Sequence, residues 1–305
     1  MSTVTLLSGL SKKLTDGHQF VTESVLGIII EKILLGKKMG KKKIRVGTLI
    51  SGGGTNLQAI IDAAKSSTID AEIVFTGSDN PSAKGLLRAA NEGIPTFVTD
   101  YRAIIAAYKK KPGTNVLPKD FDINAVMAKQ RLLENNRSSD DIRSFLCSRA
   151  MAEADLLRNM AAYPIDLLVL AGFLRTLTPF FIDQVSPNPD TPTIMNIHPA
   201  LLPSFPGTDG YRDTFNYGCK IGGATVHFID YGEDSGPIIG QRSFPIDPDD
   251  TLETVKKKGL KLEWELYPQC IQLFAEKRLQ IIHLPSESLT SAPGGKRIVR
   301  IAPPR

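Results

Sequence analysis

Short apolar segments alternate with helical segments along most of this chain, and this alternation constrains the fold more than any other feature. An apolar run covers residues 44–50, a glycine-rich turn covers residues 51–56, and a helix is predicted to begin at Leu57. The pattern continues with strands at residues 71–76, 95–98, 166–170, 193–197 and 223–229 and helices at residues 82–91, 140–163 and 251–274. Strands that alternate with helices form a parallel sheet with helices on its faces. The sequence therefore predicts an α/β fold with a mostly parallel open sheet flanked by helices.

The alternation does not extend to the two ends of the 305 residues. Residues 1–43 are predicted to be an N-terminal extension outside the fold, and Met39, just before the first strand, is a candidate translation start. Residues 284–305 contain Ser, Pro, Gly and basic residues without periodicity, which predicts a disordered tail. Residues 44–283 are predicted to form one domain. Within it we interpret residues 101–139 as an insertion, a solvated helical spacer rather than a lid.

The formal net charge of +5 is concentrated at the ends of the chain. Residues 1–43 have eight lysines and three acidic residues, and residues 284–305 have four basic residues and one acidic residue. Residues 44–283 therefore carry a net charge of −3. A nucleic-acid-binding domain concentrates positive charge on its folded body. We therefore expect small-molecule substrates and no nucleic-acid partner.

The three cysteines, Cys147, Cys219 and Cys270, lie far apart, without the paired spacing of a zinc site or a disulfide framework. This favours a reducing compartment, so we expect a cytoplasmic protein without a metal site. The most apolar part of the N-terminal extension, residues 25–35, contains two charged residues and is too short to span a bilayer. We therefore expect no membrane association.

A polar pair stands at the end of the strand predicted at residues 193–197. Because side chains two residues apart share a face of a strand, Asn196 and His198 are expected to point the same way. Pro199 cannot donate to a sheet and favours extended geometry at His198, so the strand is expected to end there. The sequence therefore predicts an amide and an imidazole side by side at a strand end.

An acidic turn follows the strand predicted at residues 223–229, and it contains Asp230, Glu233 and Asp234. A carboxylate that reaches His198 would fix the tautomer of the ring and favour its protonated form. An amide donor beside a protonated imidazole suits the attack of an amine on a carbonyl carbon, where negative charge develops on oxygen. Each fragment alone is more often structural, since strand-end histidines often serve as caps and acidic turns are usually solvated. Their combination favours a catalytic site.

Together these residues resemble the glycinamide ribonucleotide formyltransferase family, the folate-dependent enzymes of purine synthesis. The resemblance covers roughly residues 44–280 and implies a single Rossmann-like formyltransferase domain, as a monomer or homodimer. It implies that Asn196, His198 and Asp234 are the catalytic residues, and that the other two acids of the turn support the loop. It also implies transfer of the formyl group of 10-formyltetrahydrofolate to the amine of 5-phosphoribosylglycinamide, giving formylglycinamide ribonucleotide and tetrahydrofolate.

The glycine-rich turn after the first strand is placed to bind an anion, because backbone N–H groups converge at the start of a helix. It lacks both the GxGxxG pattern of dinucleotide folds and the GK[ST] ending of a P-loop. On its own, the turn is equally compatible with a structural role. The resemblance identifies it as the loop that holds the ribonucleotide phosphate, and implies that Gly54, Thr55 and Asn56 bind that substrate.

Residues 171–179 follow a buried strand, where open α/β sheets place ligands. From the sequence alone, a structural turn with a solvated arginine is the favoured interpretation. The resemblance implies that this stretch lines the pterin pocket. The residues assigned to 10-formyltetrahydrofolate in this way are Leu174, Arg175, Thr176, Leu177 and, from the catalytic strand, Asn196.

Three further assignments depend on the resemblance. Ser148 and Arg149 match a pair that contacts folate, and Arg149 is therefore predicted to contact the formyl donor. Glu263 matches a helix acid that contacts the glycinamide substrate, although an exposed helix charge is an acceptable alternative. His227 stands in the middle of a strand among apolar residues, and we interpret it as supporting structure.

Two alternative functions remain compatible with parts of the sequence. A formyltetrahydrofolate hydrolase or another formyltransferase of the same superfamily would use similar catalytic residues, but neither needs a small phosphate loop at residues 51–56. A dinucleotide-binding Rossmann module explains the first strand and helix, but it leaves Asn196, His198 and Asp234 without a role. Residues 208–210 depart from the family pattern, which leaves the details of the loop after the catalytic strand open.

Overall fold

The computed structural model describes residues 42–110, 116–133, 137–285 and 296–304. The predictions for residues 1–41, including the start at Met39, lie outside this part of the chain. Seven strands form one sheet: β1 (Ile44–Ile50), β2 (Ala71–Ser78), β3 (Thr96–Val98), β4 (Leu167–Leu170), β5 (Ile194–His198), β6 (Ile221–Phe228) and β7 (Ile238–Pro245). Their spatial order is β3-β2-β1-β4-β5-β6-β7. The first five are parallel, and β6 and β7 are antiparallel to their neighbours. This confirms the mostly parallel open sheet.

Eight helices of the described residues connect or flank these strands. They are α1 (Thr55–Lys65), α2 (Gly85–Asn91), α3 (Tyr101–Lys110), α4 (Ile123–Lys129), α5 (Ser139–Met160), α6 (Pro179–Val185), α7 (Gly210–Asn216) and α8 (Leu252–Ala275). The two longest begin at side-chain caps: the Ser138 hydroxyl accepts from the amide of Asp141, and Thr251 forms a capping box with Thr254. Such caps satisfy amides that have no partner within the helix. Within the described ranges, no helix has the length and apolarity needed to cross a membrane.

The sheet separates two apolar layers. On one face, Leu57, Ile60 and Ile61 of α1 pack with Leu266 and Ile271 of α8 against the sheet. The spacing of these α1 side chains places them on one stripe of the helix. On the other face, side chains of α3, α5 and α6 form a second core with β1 and β4. Each fully buried aliphatic side chain contributes about 1.5–3 kcal/mol, so the sheet is stabilised from both sides.

The residues interpreted as a solvated spacer are packed into the domain where the structure describes them. Tyr101, the first residue of α3, is fully buried and meets the Phe173 ring edge-on, with 6.0 Å between ring centroids. Val126 of α4 is buried against Leu146 and Phe180. The described residues of this segment therefore form two helices that pack one apolar stripe on the domain and leave their other side chains exposed. Their apolar positions cover the open side of α5 and α6, a contact that sequence composition alone does not reveal.

The C-terminal region also departs from expectation. Two strands, β8 (Leu279–Leu284) and β9 (Lys296–Ile301), form an antiparallel pair, in which Ile281 lies opposite Val299. Both of these side chains pack against the first core. The prediction of a disordered tail is therefore wrong for residues 296–301. These residues form a strand because burial of alternate apolar side chains stabilises the pairing with β8. Residues 286–295 lie outside the described part of the chain.

The site lies at the point where the order of the strands across the sheet reverses, between β1 and β4. β1 and β4 are neighbours in space, although two strands (β2 and β3) and five helices (α1 to α5) lie between them in sequence. At such a point the connections leave in opposite directions, which opens a crevice at the carboxyl ends of the strands. The glycine-rich turn follows β1, residues 171–178 follow β4, and Pro199 follows β5. Three loops therefore meet at one edge of the sheet.

Candidate active site

A cavity of about 220 Å³ lies at this edge. It brings together most of the residues singled out in the sequence. Those that line it are Asn56, Leu174, Arg175, Thr176, Leu177, Asn196, His198, Asp234 and Glu263. Gly54, Thr55 and Arg149 are not among the lining residues. The cavity therefore collects groups from the glycine-rich loop, the stretch after β4, the end of β5, the acidic turn and α8.

The end of β5 presents its polar pair to the cavity, as alternation along a strand predicts. His198 is the last residue of β5 and is 2% exposed. Asn196 lies opposite His227 of the antiparallel β6, and its amide nitrogen is 3.3 Å from His227 Nε2. His227 Nδ1 lies 2.9 Å from the Phe228 carbonyl oxygen, which leaves Nε2 to face the Asn196 amide. This contact fixes the orientation of the Asn196 amide.

The acidic turn brings Asp234 to both imidazoles. Its Oδ2 lies 3.1 Å from His198 Nδ1, and its Oδ1 lies 3.5 Å from His227 Nε2. The amide of Gly207 donates to the same Oδ2 at 2.8 Å. Asp234 has a φ of 49°, in the left-handed region that residues other than glycine seldom adopt. Of the three acids in the turn, Asp234 is the one that reaches His198.

Both ring nitrogens of His198 face acceptors. Nδ1 faces the Asp234 carboxylate, and Nε2 donates to the carbonyl of Phe205 at 2.7 Å. Phe205 has a φ of 55°, and this unusual backbone conformation belongs to the loop that carries its carbonyl to the ring. These two contacts fix the orientation of the imidazole, because each ring nitrogen lies within hydrogen-bond distance of one oxygen.

The pKa of the Asp234 carboxyl is well below its usual range. Burial raises the pKa of this carboxyl, but hydrogen bonds from His198 and His227, together with the Gly207 amide, lower it by more. The side chain is 11% exposed, which limits the screening of these contacts by water. Asp234 is therefore a charged group at the buried end of the cavity, suited to orient and stabilise a cationic His198.

The opposite end of the cavity holds a second buried carboxylate. Glu263 is 4% exposed; its Oε2 accepts from the Asn56 amide at 2.6 Å, and its Oε1 accepts from the Tyr211 hydroxyl. Burial raises the pKa of Glu263, and the two hydrogen bonds only partly offset this effect. Burial and the adjacent Glu263 also raise the pKa of Tyr211. The exposed helix charge considered from sequence is therefore wrong for Glu263, because α8 packs this side chain against α1 and α7.

The glycine-rich loop is held close to its neighbours. Gly54 has a φ of 68°, and a side chain there would meet the backbone of Gly85 at 2.7 Å, so glycine is required. The Ser51 hydroxyl accepts from the Leu174 amide at 2.8 Å, which ties this loop to the stretch after β4. The Asn56 side-chain oxygen is buried, and no residue of the described chain donates to it. That oxygen is a ready acceptor for a ligand.

Arg149 lies behind the cavity rather than in its lining. Its guanidinium is 5.9 Å from the centre of the Tyr101 ring, as is that of Arg175. Burial, and then repulsion from Arg175, lower the pKa of Arg149. Its Nη1 is buried, and within the described residues it has no hydrogen-bond partner. Arg175 instead pairs with the buried Asp79.

Sequence reasoning did not identify two contributors to the site. Tyr211 holds Glu263 from α7, and the 201–207 loop supplies the carbonyl of Phe205 and the amide of Gly207. Backbone groups have no sequence signal. Tyr211 directly follows residues 208–210, where the sequence departs from the family pattern, and that departure was the one available signal. The role of His227 as support is consistent with its contacts to Asn196 and Asp234.

Comparisons with known proteins agree with the family resemblance seen in the sequence. Residues 44–271 match the family model for formyl transferases. The chain is 34% identical over 237 residues to the phosphoribosylglycinamide formyltransferase of Haemophilus influenzae, covering 78% of this chain and 90% of that protein. It is 33% identical to the trifunctional purine biosynthetic protein adenosine-3 of Drosophila melanogaster, of which it spans only 14%. The crystal structure of glycinamide ribonucleotide transformylase 1 from Symbiobacterium toebii superimposes with a TM-score of 0.61 and 32% identity, covering 86% of this chain and 95% of that one.

Proposed function

Because this chain belongs to the formyl transferase family, as a phosphoribosylglycinamide formyltransferase of purine biosynthesis, we propose that Asn196, His198 and Asp234 carry out its formyl transfer. The formyl donor of the family is a folate derivative, and we assign 10-formyltetrahydrofolate as the co-substrate. The acceptor is the amine of 5-phosphoribosylglycinamide. The observation that carries this proposal is the convergence of the amide, the imidazole and the carboxylate at one end of a single cavity.

The acceptor amine attacks the formyl carbon directly, so no serine or cysteine nucleophile is needed. As the C–N bond forms, the carbonyl electrons move to oxygen, and the Asn196 amide and the protonated His198 donate to that oxygen. Removing one such donor from an oxyanion site costs about a hundredfold to a thousandfold in rate. In this step His198 Nε2 donates to the formyl oxygen. The substrate must therefore displace the Phe205 carbonyl, which occupies that nitrogen in the structure.

Collapse of the tetrahedral species expels the folate nitrogen and restores the formyl carbonyl on the acceptor. The attacking nitrogen loses a proton, and the folate nitrogen gains one. His198 is the group in the cavity suited to move that proton, and Asp234 holds its ring and stabilises its charge. A charged Asp234 is required for this task, and the low pKa of its carboxyl meets the requirement.

We assign the acceptor to the end of the cavity nearest the glycine-rich loop. Gly54, Thr55 and Asn56 stand at the start of α1, where backbone amides and the helix dipole favour a phosphate group. The free Asn56 oxygen and the remaining lone pairs of Glu263 are acceptors for hydroxyl or amine hydrogens of the same substrate.

The formyl donor is assigned to the stretch after β4. Leu174 is 63% exposed, Leu177 is buried, and Arg175 and Thr176 lie between them, which together offer an apolar wall with polar groups at its edge. Such a wall suits a flat heterocycle with hydrogen-bonding edges. Arg149 remains a predicted contact, and its unpartnered Nη1 is the observation that supports it.

The direct test follows release of tetrahydrofolate with and without glycinamide ribonucleotide. Release that depends on the acceptor supports formyl transfer, whereas equal release without it would identify a hydrolase. His198→Ala should lower kcat by at least about a hundredfold. Near-normal turnover by this variant would reject the catalytic assignment.

A further inference from the structure

The turn that carries Asp234 is supported from outside the cavity by a contact from the C-terminal strand. Asp230, the first residue of this turn, uses Oδ1 to accept from the Gly232 amide at 3.1 Å and from the Ser235 hydroxyl at 2.6 Å. These two bonds close the turn around Asp230. Its other oxygen, Oδ2, faces Arg297 Nη2 at 3.7 Å.

Arg297 is anchored to the body of the protein. It lies on β9 opposite His283 of β8, and its Nη1 donates to the carbonyl of Pro189 at 3.0 Å. In turn, His283 Nε2 lies 2.7 Å from Asp190 Oδ1. The hairpin is thus attached to the loop that leads into β5, and the Arg297 guanidinium bridges that loop and the acidic turn.

Asp230 lines the cavity, whereas Arg297 is placed to act on the geometry of the turn from behind it. The side chains of Arg297 and Asp230 are 25% and 22% exposed, so water screens their attraction only in part. Arg297 is not among the residues that line the cavity. Asp234 lies four residues after Asp230 in a left-handed conformation, so a small movement of the turn would separate it from His198.

We propose that Arg297 is a positioning residue for formyl transfer, which holds the acidic turn through Asp230 so that Asp234 reaches His198. The proposal rests on the function assigned to Asp234 above. It gives a catalytic purpose to a segment that composition alone predicts to be disordered. Misplacement of a catalytic group by about 1 Å can reduce a rate by about a hundredfold, and loss of one of several contacts to the turn should give a smaller effect.

The test compares Arg297→Gln with Arg300→Gln, which removes an exposed arginine from the same strand. We expect Arg297→Gln to lower kcat about fivefold to tenfold, with KM for both substrates within about twofold. Arg297→Lys should recover at least half of the lost kcat because it retains the charge. Arg300→Gln should have wild-type kcat. Equal effects of the two Gln variants would overturn the proposal.

A double-mutant cycle with Asp234→Asn identifies the route of the effect. If Arg297 acts through Asp234, Arg297→Gln should reduce kcat less than twofold in the Asp234→Asn background. The same fivefold to tenfold loss in both backgrounds would overturn the proposal while leaving the assigned function intact. An unimpaired Asp234→Asn enzyme would instead refute the assigned role of Asp234.

A third variant covers the case in which Arg297→Gln does not fold. Asp230→Asn leaves β9 untouched and retains Oδ1 as the acceptor for Gly232 and Ser235. It should show the same selective loss of kcat as Arg297→Gln, with thermal unfolding close to that of wild type. A folded Asp230→Asn enzyme with normal kcat would overturn the proposal.

Discussion

The two ends of the cavity each hold a buried carboxylate, and the surroundings shift their pKa values in opposite directions. At the end that we assign to catalysis, Asp234 meets two imidazoles and a backbone amide, and the pKa of its carboxyl is lowered. At the end that we assign to the acceptor, Glu263 meets the Asn56 amide and the Tyr211 hydroxyl, and the pKa of its carboxyl is raised. Burial raises the pKa at both ends. The difference therefore comes from the partners, because imidazoles can carry a compensating positive charge and neutral donors cannot.

This contrast separates two tasks within one site. A carboxylate that stays charged can stabilise a histidine cation throughout a reaction. A carboxyl group held by neutral donors is suited to recognise the hydroxyl and amine hydrogens of a substrate. We therefore expect variants at the catalytic end to act on kcat, and variants at the acceptor end to act on KM for glycinamide ribonucleotide.

The largest effect is expected at the catalytic end. Asp234→Asn keeps the size of the side chain but removes the charge that stabilises protonated His198, so kcat should fall about a hundredfold or more. Steady-state kinetics with both substrates saturating would measure this. Asp213→Asn, at an exposed acid of α7, is the control and should leave kcat unchanged. If kcat of Asp234→Asn falls less than about threefold, the two ends of the cavity do not differ in their effect on kcat as we expect.

A third buried carboxylate tests the electrostatic argument without catalysis. Glu153 is fully buried, and burial raises its pKa to about 7, although hydrogen bonds from Thr178 partly offset this. The folded protein therefore binds this proton more tightly than the unfolded chain, whose ordinary value is 4.5. The resulting stabilisation is complete below the unfolded value and is lost as the pH rises toward 7. At about 1.4 kcal/mol per pKa unit, the loss amounts to about 3 kcal/mol.

Urea unfolding at pH 5 and at pH 7.5 would measure this loss, since the free energy of unfolding should fall between the two pH values in the wild-type protein. Glu153→Gln cannot titrate, and its free energy of unfolding should change less over the same interval. Glu265→Gln, at an exposed acid of α8, should follow the wild type. Parallel wild-type and Glu153→Gln curves would show that burial does not dominate the pKa of Glu153.

A smaller effect is expected for Glu263→Gln. Its hydrogen-bond partners are neutral donors and His198 acts on it only as the smallest of the causes that shift its pKa, so loss of its charge should weaken substrate recognition more than it disturbs His198. KM for glycinamide ribonucleotide should rise about tenfold, the equivalent of one hydrogen bond to a charged group. The value of kcat at saturation should change less than about threefold. Glu265→Gln again serves as the control, and a loss of kcat as large as that of Asp234→Asn would break the comparison.

The smallest effect is expected for Tyr211→Phe, which removes one donor to Glu263 but keeps the ring packed against Gly259. KM for glycinamide ribonucleotide should rise about threefold, in line with a single net hydrogen bond. Tyr217→Phe, at a side chain that is 80% exposed, should leave KM unchanged. If Tyr211→Phe lowers kcat and leaves KM unchanged, then Tyr211 does not act through substrate binding at Glu263.

Local patterns predicted most of the sheet and the helices around it. β1, β2, β4 and β5 are short apolar runs, and the long helices α5 and α8 have clear starts. The missed elements lack such local signals. β7 has mixed burial along its length, and β9 obtains its order from pairing with β8. The pairing energy of such strands depends on partners that a local sequence window does not contain.

The residues of the site divide in the same way, into those that local sequence patterns predict and those that they do not. The alternation of side chains on β5 and the proline after it placed Asn196 and His198 together, because both effects act within a few residues. The contact between Asn56 and Glu263 joins residues 207 positions apart, and the contact between Tyr211 and Glu263 joins residues 52 positions apart. No spacing rule connects such positions, so the sequence left the burial and the partners of Glu263 open.

The sequence by itself determined the order of strands β1 to β6 along the chain, the helices α1, α2, α5 and α8, the glycine-rich turn, and the polar pair at the end of β5. These follow from backbone sterics and side-chain periodicity, which are local. Only the tertiary structure decided that Asp234 is held charged by two imidazoles, that Glu263 is buried among neutral donors, and that Arg297 reaches the acidic turn. Burial and charge pairing depend on which distant residues the fold brings into contact, and those contacts set the chemistry of each carboxylate.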